Sequence, residues 1–416
     1  MQATQVTQCQ MCATRFPESV FHVGWLPPVN TMREIGEPLP PEEVFYPTEL
    51  LECQHCKLVQ LSVEVDPEIL FPKEYAYRSS TTKILKDNFK ELFQEVDFLF
   101  PHLGKGDVIV DLGGNDGNLL SNFHQAGFYC INIEPTGAAE ESKQQGIPTI
   151  NKFFSSKVVD EIVNNIGKAD VVTCTNCFAH MPNINEVVEN IRRLMSDDGV
   201  FICENHYLPS LIENLQYDCL YHEHRRFYSL TSLKYLFDQH GLEITYVKKI
   251  PTHGGSLRVY AQKKEATYDH HKCPSQWMSL FDEEKAFFTE DVWTTFRQRV
   301  ARAKMELFQL LAKHTMESGL YGVGAPSRAV TLVHFLGLDE NILDCIVEVP
   351  QSPKLGHYLP GTRVPIYDQE CIFEDDQPEY VLLLSWHIAD ELMKNLKKKG
   401  YRGKFIVPLP IPKIIE

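Results

Sequence analysis

Along the middle of the chain, short apolar runs alternate with stretches that are apolar every third or fourth residue. Residues 107–127, DVIVDLGGNDGNLLSNFHQAG, read as a buried strand, a glycine turn and an amphipathic helix. FYCINIEP (128–135) is a second strand that ends near Glu134, and ADVVTCTNCFAH (169–180) opens on a third. The helical pattern INEVVENIRRLM (184–195) leads into the strand DGVFICENHY (198–207). A helix around SLTSLKYLFDQHG (229–241) precedes two further strands, ITYVKKI (244–250) and SLRVYAQKK (256–264). Strands alternating with helices predict a mostly parallel, doubly wound α/β sheet. Such a sheet binds ligands at the carboxyl ends of its strands.

After about Ala266 the texture changes. Residues 269–314 read as long and helical with charged faces. Alternation then resumes in GLYGVGAPSRAVTLVHFLGL (319–338), ILDCIVEV (342–349), YVLLLSW (380–386) and FIVPLP (405–410), a second and smaller α/β unit. Its YGVGAPSR turn can present backbone N–H groups to an anion at a helix start, or serve helix–strand packing alone. The first 72 residues follow neither period. The expected domains are therefore 1–72, 73–266 and 267–416.

Charge narrows the partners. A formal net charge of -16 argues against a nucleic-acid binder, which needs a concentrated positive surface. No apolar run reaches a membrane span, and the N-terminus MQATQVTQCQ has no secretory pattern. The chain is expected in the cytoplasm, as a monomer, with its twelve cysteines reduced.

Three cysteine pairs have the CxxC spacing. Cys9 with Cys12 and Cys53 with Cys56 each form a knuckle, and two knuckles complete a four-cysteine zinc site. The segment between them, GWLPPVNTMREIGEPLPPEEVFYP, is too irregular to build a core without such a staple. Four cysteines leave no open coordination position, so the zinc is structural. The third pair, Cys174 and Cys177, has no second knuckle and reads as ordinary free thiols.

The glycine turn, Gly113, Gly114 and Gly117, lets the backbone approach a ligand closely, and Asp111 ends the strand before it. It is nearer to DxGxxxG than to the dinucleotide GxGxxG, with Asn115 where a middle glycine often sits. Glu134, at the end of the next strand, is placed for ribose hydroxyls. The combination suits S-adenosylmethionine, which has no pyrophosphate to cradle, bound by Asp111, Gly113, Asn115, Gly117 and Glu134.

The segment DCLYHEHRRFYSL (218–230) concentrates histidines, a glutamate, arginines and tyrosines. Taken alone it fits a polar turn, a metal pair of His222 and His224, or a catalytic site. With FPKEYAYRSS, LGGNDGNLL, NCFAHMPN, LYHEHRRFYSL, THGGSLRVYA, YGVGAPSRAVTL, SPKLGHYLPGTRVPI and the two knuckles, it makes nearly the whole chain resemble the sugar C-methyltransferases that act on nucleotide-linked 4-keto-deoxyhexoses. The resemblance implies a zinc module, an S-adenosylmethionine-binding domain and a C-terminal domain that helps hold the nucleotide-sugar. It implies C3 deprotonation next to the ketone, with His224 as base and Glu223 orienting the site. Tyr221, Tyr77 and His180 match the family's remaining active-site positions. Gly324, Ser327 and Arg328 stand in the substrate turn, where GAPSRAVTL departs from the family's GAPAKGNTL, and Arg225 and Arg226 are more basic than usual after YHEH. Two other readings remain. A nicotinamide-dependent oxidoreductase or epimerase requires a GxGxxG turn that is missing. A noncatalytic zinc-containing binding protein leaves the histidines without a task. The nucleotide carrier and the substituents at C2 and C3 of the sugar are not legible.

Overall fold

In the middle of the chain the apolar runs pair into one sheet. The computed structural model describes residues 2–38, 43–73, 75, 77–267, 275–289, 291–315 and 319–416. In it the middle sheet has seven strands: β1 (Val108–Leu112), β2 (Tyr129–Ile133), β3 (Thr149–Ile150), β4 (Ala169–Thr175), β5 (Met195–His206), β6 (Leu242–Ile250) and β7 (Ser256–Lys263). Their spatial order is β6-β7-β5-β4-β1-β2-β3. Pairs β1–β2, β1–β4, β2–β3 and β4–β5 are parallel, whereas β7 runs antiparallel to both β5 and β6.

The continuous apolar character of β1, β4 and β5 follows from burial on both faces. One face packs Leu112, Val172 and Phe201 with the helix Ile184–Leu194. The other packs Ile109, Val171 and Ile202 with the helices Lys83–Leu99 and Asn118–Gln125. Arg258 on β7, fully buried, is neutralised by Glu204 on β5 at 2.6 Å and by Glu95 of the helix Lys83–Leu99.

The second α/β unit contains β8 (Tyr321–Val323), β9 (Cys345–Glu348), β10 (Ile366–Asp368), β11 (Tyr380–Leu383), β12 (Lys404–Val407) and β13 (Lys413–Ile415), in the order β10-β9-β8-β11-β12-β13. All its pairs are parallel except β12–β13. The strand order reverses beside β8, so the turn after it, Gly324–Pro326, lies at the switch point where such sheets bind ligands.

The expected helical stretch 269–314 begins outside the described residues at 269–274 and continues as the helices Ser279–Thr289 and Val292–His314. The first packs Leu280 and Phe281 on the middle domain, while its Phe287 and Phe288 lie against the core shared by the N-terminal strands and the C-terminal unit. Its Glu284 accepts from the Leu230 and Thr231 backbone N–H groups, at 2.6 and 2.7 Å, and caps the helix Leu230–Gln239.

The N-terminal module is a small antiparallel sheet of Glu18–Leu26, Tyr46–Glu52 and Val59–Leu61, extended by Arg226–Phe227 from the middle domain. Its strands share a core with the C-terminal unit, while its cysteines pack with the middle sheet. No helix among the described residues is long and apolar enough to cross a membrane.

Candidate active site

Cys9, Cys12, Cys53 and Cys56 converge, with all four sulfurs within 4.8 Å of one another. Each knuckle turns through a left-handed residue, Ala13 at φ 58 and Lys57 at φ 58. The N–H of Ala13 bonds the Cys9 carbonyl at 3.0 Å, as that of Lys57 bonds the Cys53 carbonyl at 2.9 Å. The Cys9–Cys56 and Cys12–Cys53 sulfurs are 3.4 and 3.5 Å apart. Thiolates on one tetrahedral zinc at 2.3 Å stand about 3.8 Å apart, so the four fit that ion and leave it no open position.

The glycine turn lines a cavity of about 450 Å³ at the carboxyl ends of β1, β2 and β4. Gly113 and Gly114 are required there. A Cβ on Gly113 would stand 2.4 Å from the Cys177 sulfur, and one on Gly114 would stand 2.4 Å from Asn132 Oδ1 and 2.6 Å from Asp111 Oδ2. Asn115, at φ 50, takes the left-handed conformation that asparagine tolerates. Its side chain accepts from the Ser79 N–H at 3.0 Å and donates to the Tyr77 carbonyl at 3.2 Å, fastening the YAYRSS loop over the turn.

Glu134 is 4 % exposed, and its two oxygens accept from the Asn115 and Thr136 N–H groups at 3.0 and 2.8 Å. A carboxylate has about four lone-pair sites, which leaves capacity for ribose hydroxyls. Asp111 accepts from Thr173 at 2.7 Å through one oxygen, while its other oxygen and Asn132 Oδ1 are buried without a protein partner. Burial pushes the Asp111 carboxyl up to about 7. The cradle and the Glu134 carboxylate suit a nucleoside approached closely by backbone.

The other end of the cavity carries Tyr75, Tyr77, Phe71 and His180. His180 stacks on Phe71 at 5.6 Å and on His224 at 5.1 Å. Tyr221 lies against His224 at 4.2 Å, and the His206 ring stands edge-on to it at 4.9 Å. Nδ1 of His224 is 2.7 Å from the Cys219 carbonyl, an acceptor only, so Nδ1 carries the hydrogen and Nε2 keeps its lone pair. Burial lowers the His224 imidazole to about 4 and His180 well below its usual value.

Glu223 accepts from the Tyr75 hydroxyl at 3.0 Å and from Asn30 at 2.5 Å, and burial pushes it up to about 7. Of the expected residues, Tyr77 and His180 line this cavity; His224 stacks behind His180 with Tyr221 against it, and Glu223 joins them through Tyr75.

His222 points elsewhere. Its Nε2 meets Thr48 Oγ1 and the Pro47 carbonyl at 3.1 and 3.2 Å, so it anchors the zinc module and shares no ion with His224. Arg225 pairs with Glu64 at 3.0 Å, and Arg226 donates to the Met181 carbonyl at 2.7 Å. Arg225 thus joins the middle domain to the N-terminal module, and Arg226 ties two segments within the middle domain.

In the turn after β8, a Cβ on Gly324 (φ +84) would stand 2.4 Å from the Ser385 hydroxyl. Ser327 reaches Asn30 at 3.4 Å. Arg328, 5 % exposed, grips both oxygens of Asp218 at 2.8 and 2.7 Å under the Trp386 ring. The N–H of Ala325 in that turn is taken by Glu348 at 2.6 Å.

Three members of the site were missed from sequence. Tyr75 shares the YAY motif with Tyr77, a signal that was available. Asn30 lies in the proline-rich segment between the knuckles, and His206 ends an ordinary strand, so neither carried one.

Models of three families match successive parts of the chain: a zinc binding domain over residues 9–71, a methyltransferase domain over 84–247, and a C-methyltransferase C-terminal domain over 251–410. C-methyltransferase NovU from Streptomyces niveus is 32% identical over 380 residues, 90% of this chain and 89% of that protein. Among solved structures, magnesium protoporphyrin IX methyltransferase from Synechocystis PCC 6803 with bound SAM covers 45% of this chain and 86% of its own, at 14% identity and TM-score 0.33. PH0226 protein from Pyrococcus horikoshii OT3 covers 47% and 98%, at 14% identity and TM-score 0.36.

The domain matches, with the glycine cradle at the strand ends and the four-thiol cluster, define an S-adenosylmethionine-dependent methyltransferase with a structural zinc. The chain belongs to the C-methyltransferase family.

Proposed function

We propose that the chain methylates C3 of a nucleotide-linked 4-keto-6-deoxyhexose, in deoxysugar biosynthesis. The observation that carries this reading is the His224 imidazole. Its Nδ1 is tied to a backbone carbonyl, its Nε2 is free to accept a proton, and burial keeps it neutral across physiological pH.

The C4 ketone acidifies the C3 hydrogen. His224 takes that proton, and the electron pair moves onto the C4 oxygen as an enolate. Negative charge developing beside the ring raises its proton affinity as the transfer proceeds. Tyr77 and His180 line the cavity and Tyr221 lies against His224; in this reading their polar tips donate to the enolate oxygen. Glu223, held by Tyr75 and Asn30, fixes the YHEH segment that carries the base. S-adenosylmethionine supplies an electrophilic sulfonium methyl for C3, with Glu134 on its ribose and Asp111, Gly113, Asn115 and Gly117 shaping its bed. Gly324 and Ser327 face the sugar-nucleotide side of the cleft, and Arg328 holds that side in place through Asp218.

The test is a transfer assay with methyl-labelled cofactor over a panel of 4-keto-6-deoxy nucleotide sugars. The reading expects label on C3 of at least one, and turnover lower by roughly 10²–10⁴-fold in His224→Ala. Label on oxygen or on another carbon, or no transfer to any member, contradicts it.

A further inference from the structure

We propose that His206 and His253 carry the proton away from His224, as an imidazole chain from the buried base to the boundary between the middle and C-terminal domains. The inference rests on the reading of His224 as the base. Methyl transfer from a sulfonium cation to carbon is not proton-neutral. The C3–H bond breaks, and its proton goes to His224 Nε2. The C3–methyl bond forms, and the S–methyl bond breaks with its electron pair staying on sulfur. Each turnover therefore leaves one proton on His224, which must lose it before the next.

The surroundings of His224 offer few exits. Nδ1 is occupied by the Cys219 carbonyl at 2.7 Å, and the residue is 7 % exposed. His180 meets it face to face with Phe71 stacked on His180 in turn, and since His180 lines the cofactor cavity that side leads back into the space that cofactor and substrate fill. Tyr221 is buried, and burial holds its phenol well above the ordinary range. His206 meets His224 edge-on, at 4.9 Å and 85°, and meets His253 in the same way, at 5.3 Å and 86°. Imidazole suits such a chain because one nitrogen accepts while the other releases.

His206 ends β5, and His253 sits in the turn Thr252–Gly254 before β7. That turn packs against Trp386–Ile388 of the C-terminal unit. His253 holds φ 54, a left-handed conformation uncommon outside glycine, and its Nε2 is buried with no hydrogen-bond partner while the residue as a whole is half-buried. Gly254 and Gly255 follow it at φ 82 and φ 123, so the turn is shaped to present this one side chain. Burial and the Arg328 charge disfavour imidazolium at both rings, so a proton passes through instead of resting there.

The test is turnover of His206→Phe, which keeps a ring and deletes both nitrogens, in dilute buffer of low proton-carrying capacity. Turnover should fall by roughly 10²-fold, the scale of losing one positioned proton carrier. Calorimetric cofactor affinity should be unchanged. Added imidazole should restore the rate in proportion to its concentration, while wild type stays indifferent to it. His253→Asn, which tolerates the turn's backbone, should show the same dependence and stands in if His206→Phe does not fold. Near-normal turnover in dilute buffer, or a loss that imidazole leaves in place, overturns the relay. If His224→Ala is itself near-normal, the base reading fails instead; if His224→Ala is inactive and His206→Phe is normal, the relay alone fails.

Discussion

Glu223 takes hydrogen bonds from Asn30 of the zinc module and from Tyr75 of the loop that covers the cofactor cradle. Its carboxyl sits at about 7 in the folded chain, against an ordinary 4.5, because burial penalises the charge. The folded protein thus holds a proton there over a range where the unfolded chain has lost it. Stability must fall as pH rises between those two values and flatten above them. Glu223→Gln removes the titration, so denaturant unfolding should show the wild type losing ground to the variant from pH 5 to 7; parallel profiles would contradict the assignment. At this scale the sequence was informative where a residue sat in a motif. His224, Tyr221, His180 and Tyr77 are legible as candidates from their motifs, and Tyr75, two positions before Tyr77, sits in the same YAY motif. Asn30 and His206 act through partners far away in the chain, and no local pattern reports such a partner.

The elements that position these residues were legible to different degrees. Strands β1, β2, β4, β5 and β7 announced themselves as apolar runs because both sheet faces are buried there, and the edge strand β6 by its mix of buried and exposed positions. Strand β3, two residues long, and the helices Ala139–Gln144 and Ser156–Asn165 were too short or too polar to stand out. The knuckles were legible from spacing, but the sheet between them was not, since Glu18–Leu26 and Tyr46–Glu52 are stabilised by a strand borrowed from residues 226–227. This borrowing links the metal to the chemistry. Metal analysis should give about one zinc per chain. Stripping it should release local folding energy, open residues 9–71 to limited proteolysis, and stop turnover by freeing the Asn30 contact to Glu223. A stripped protein that keeps full turnover and a protected N-terminus would contradict the structural role.

Across the whole molecule, the C-terminal unit is clamped to the middle domain by Arg328 and Asp218, with Trp386 donating to the same carboxylate at 2.7 Å. The sequence suggested that Arg328 meets substrate, because a turn motif shows what lies next to it in the chain and not which buried carboxylate it faces. Arg328→Met leaves Asp218 buried without its counter-charge and should destabilise the protein by about 3–5 kcal/mol. Adding Asp218→Asn should recover part of that loss; a denaturant midpoint unchanged by Arg328→Met would show the clamp to be energetically idle. The central claim is that His224 removes a proton from carbon, a step that precedes methyl transfer and needs no cofactor turnover. The direct measurement is hydrogen–deuterium exchange at C3 of a 4-keto-6-deoxy nucleotide sugar, followed by NMR in D₂O without S-adenosylmethionine. Wild type should wash out the C3 hydrogen, and His224→Ala should not. Exchange that persists at the wild-type rate in His224→Ala would contradict the account.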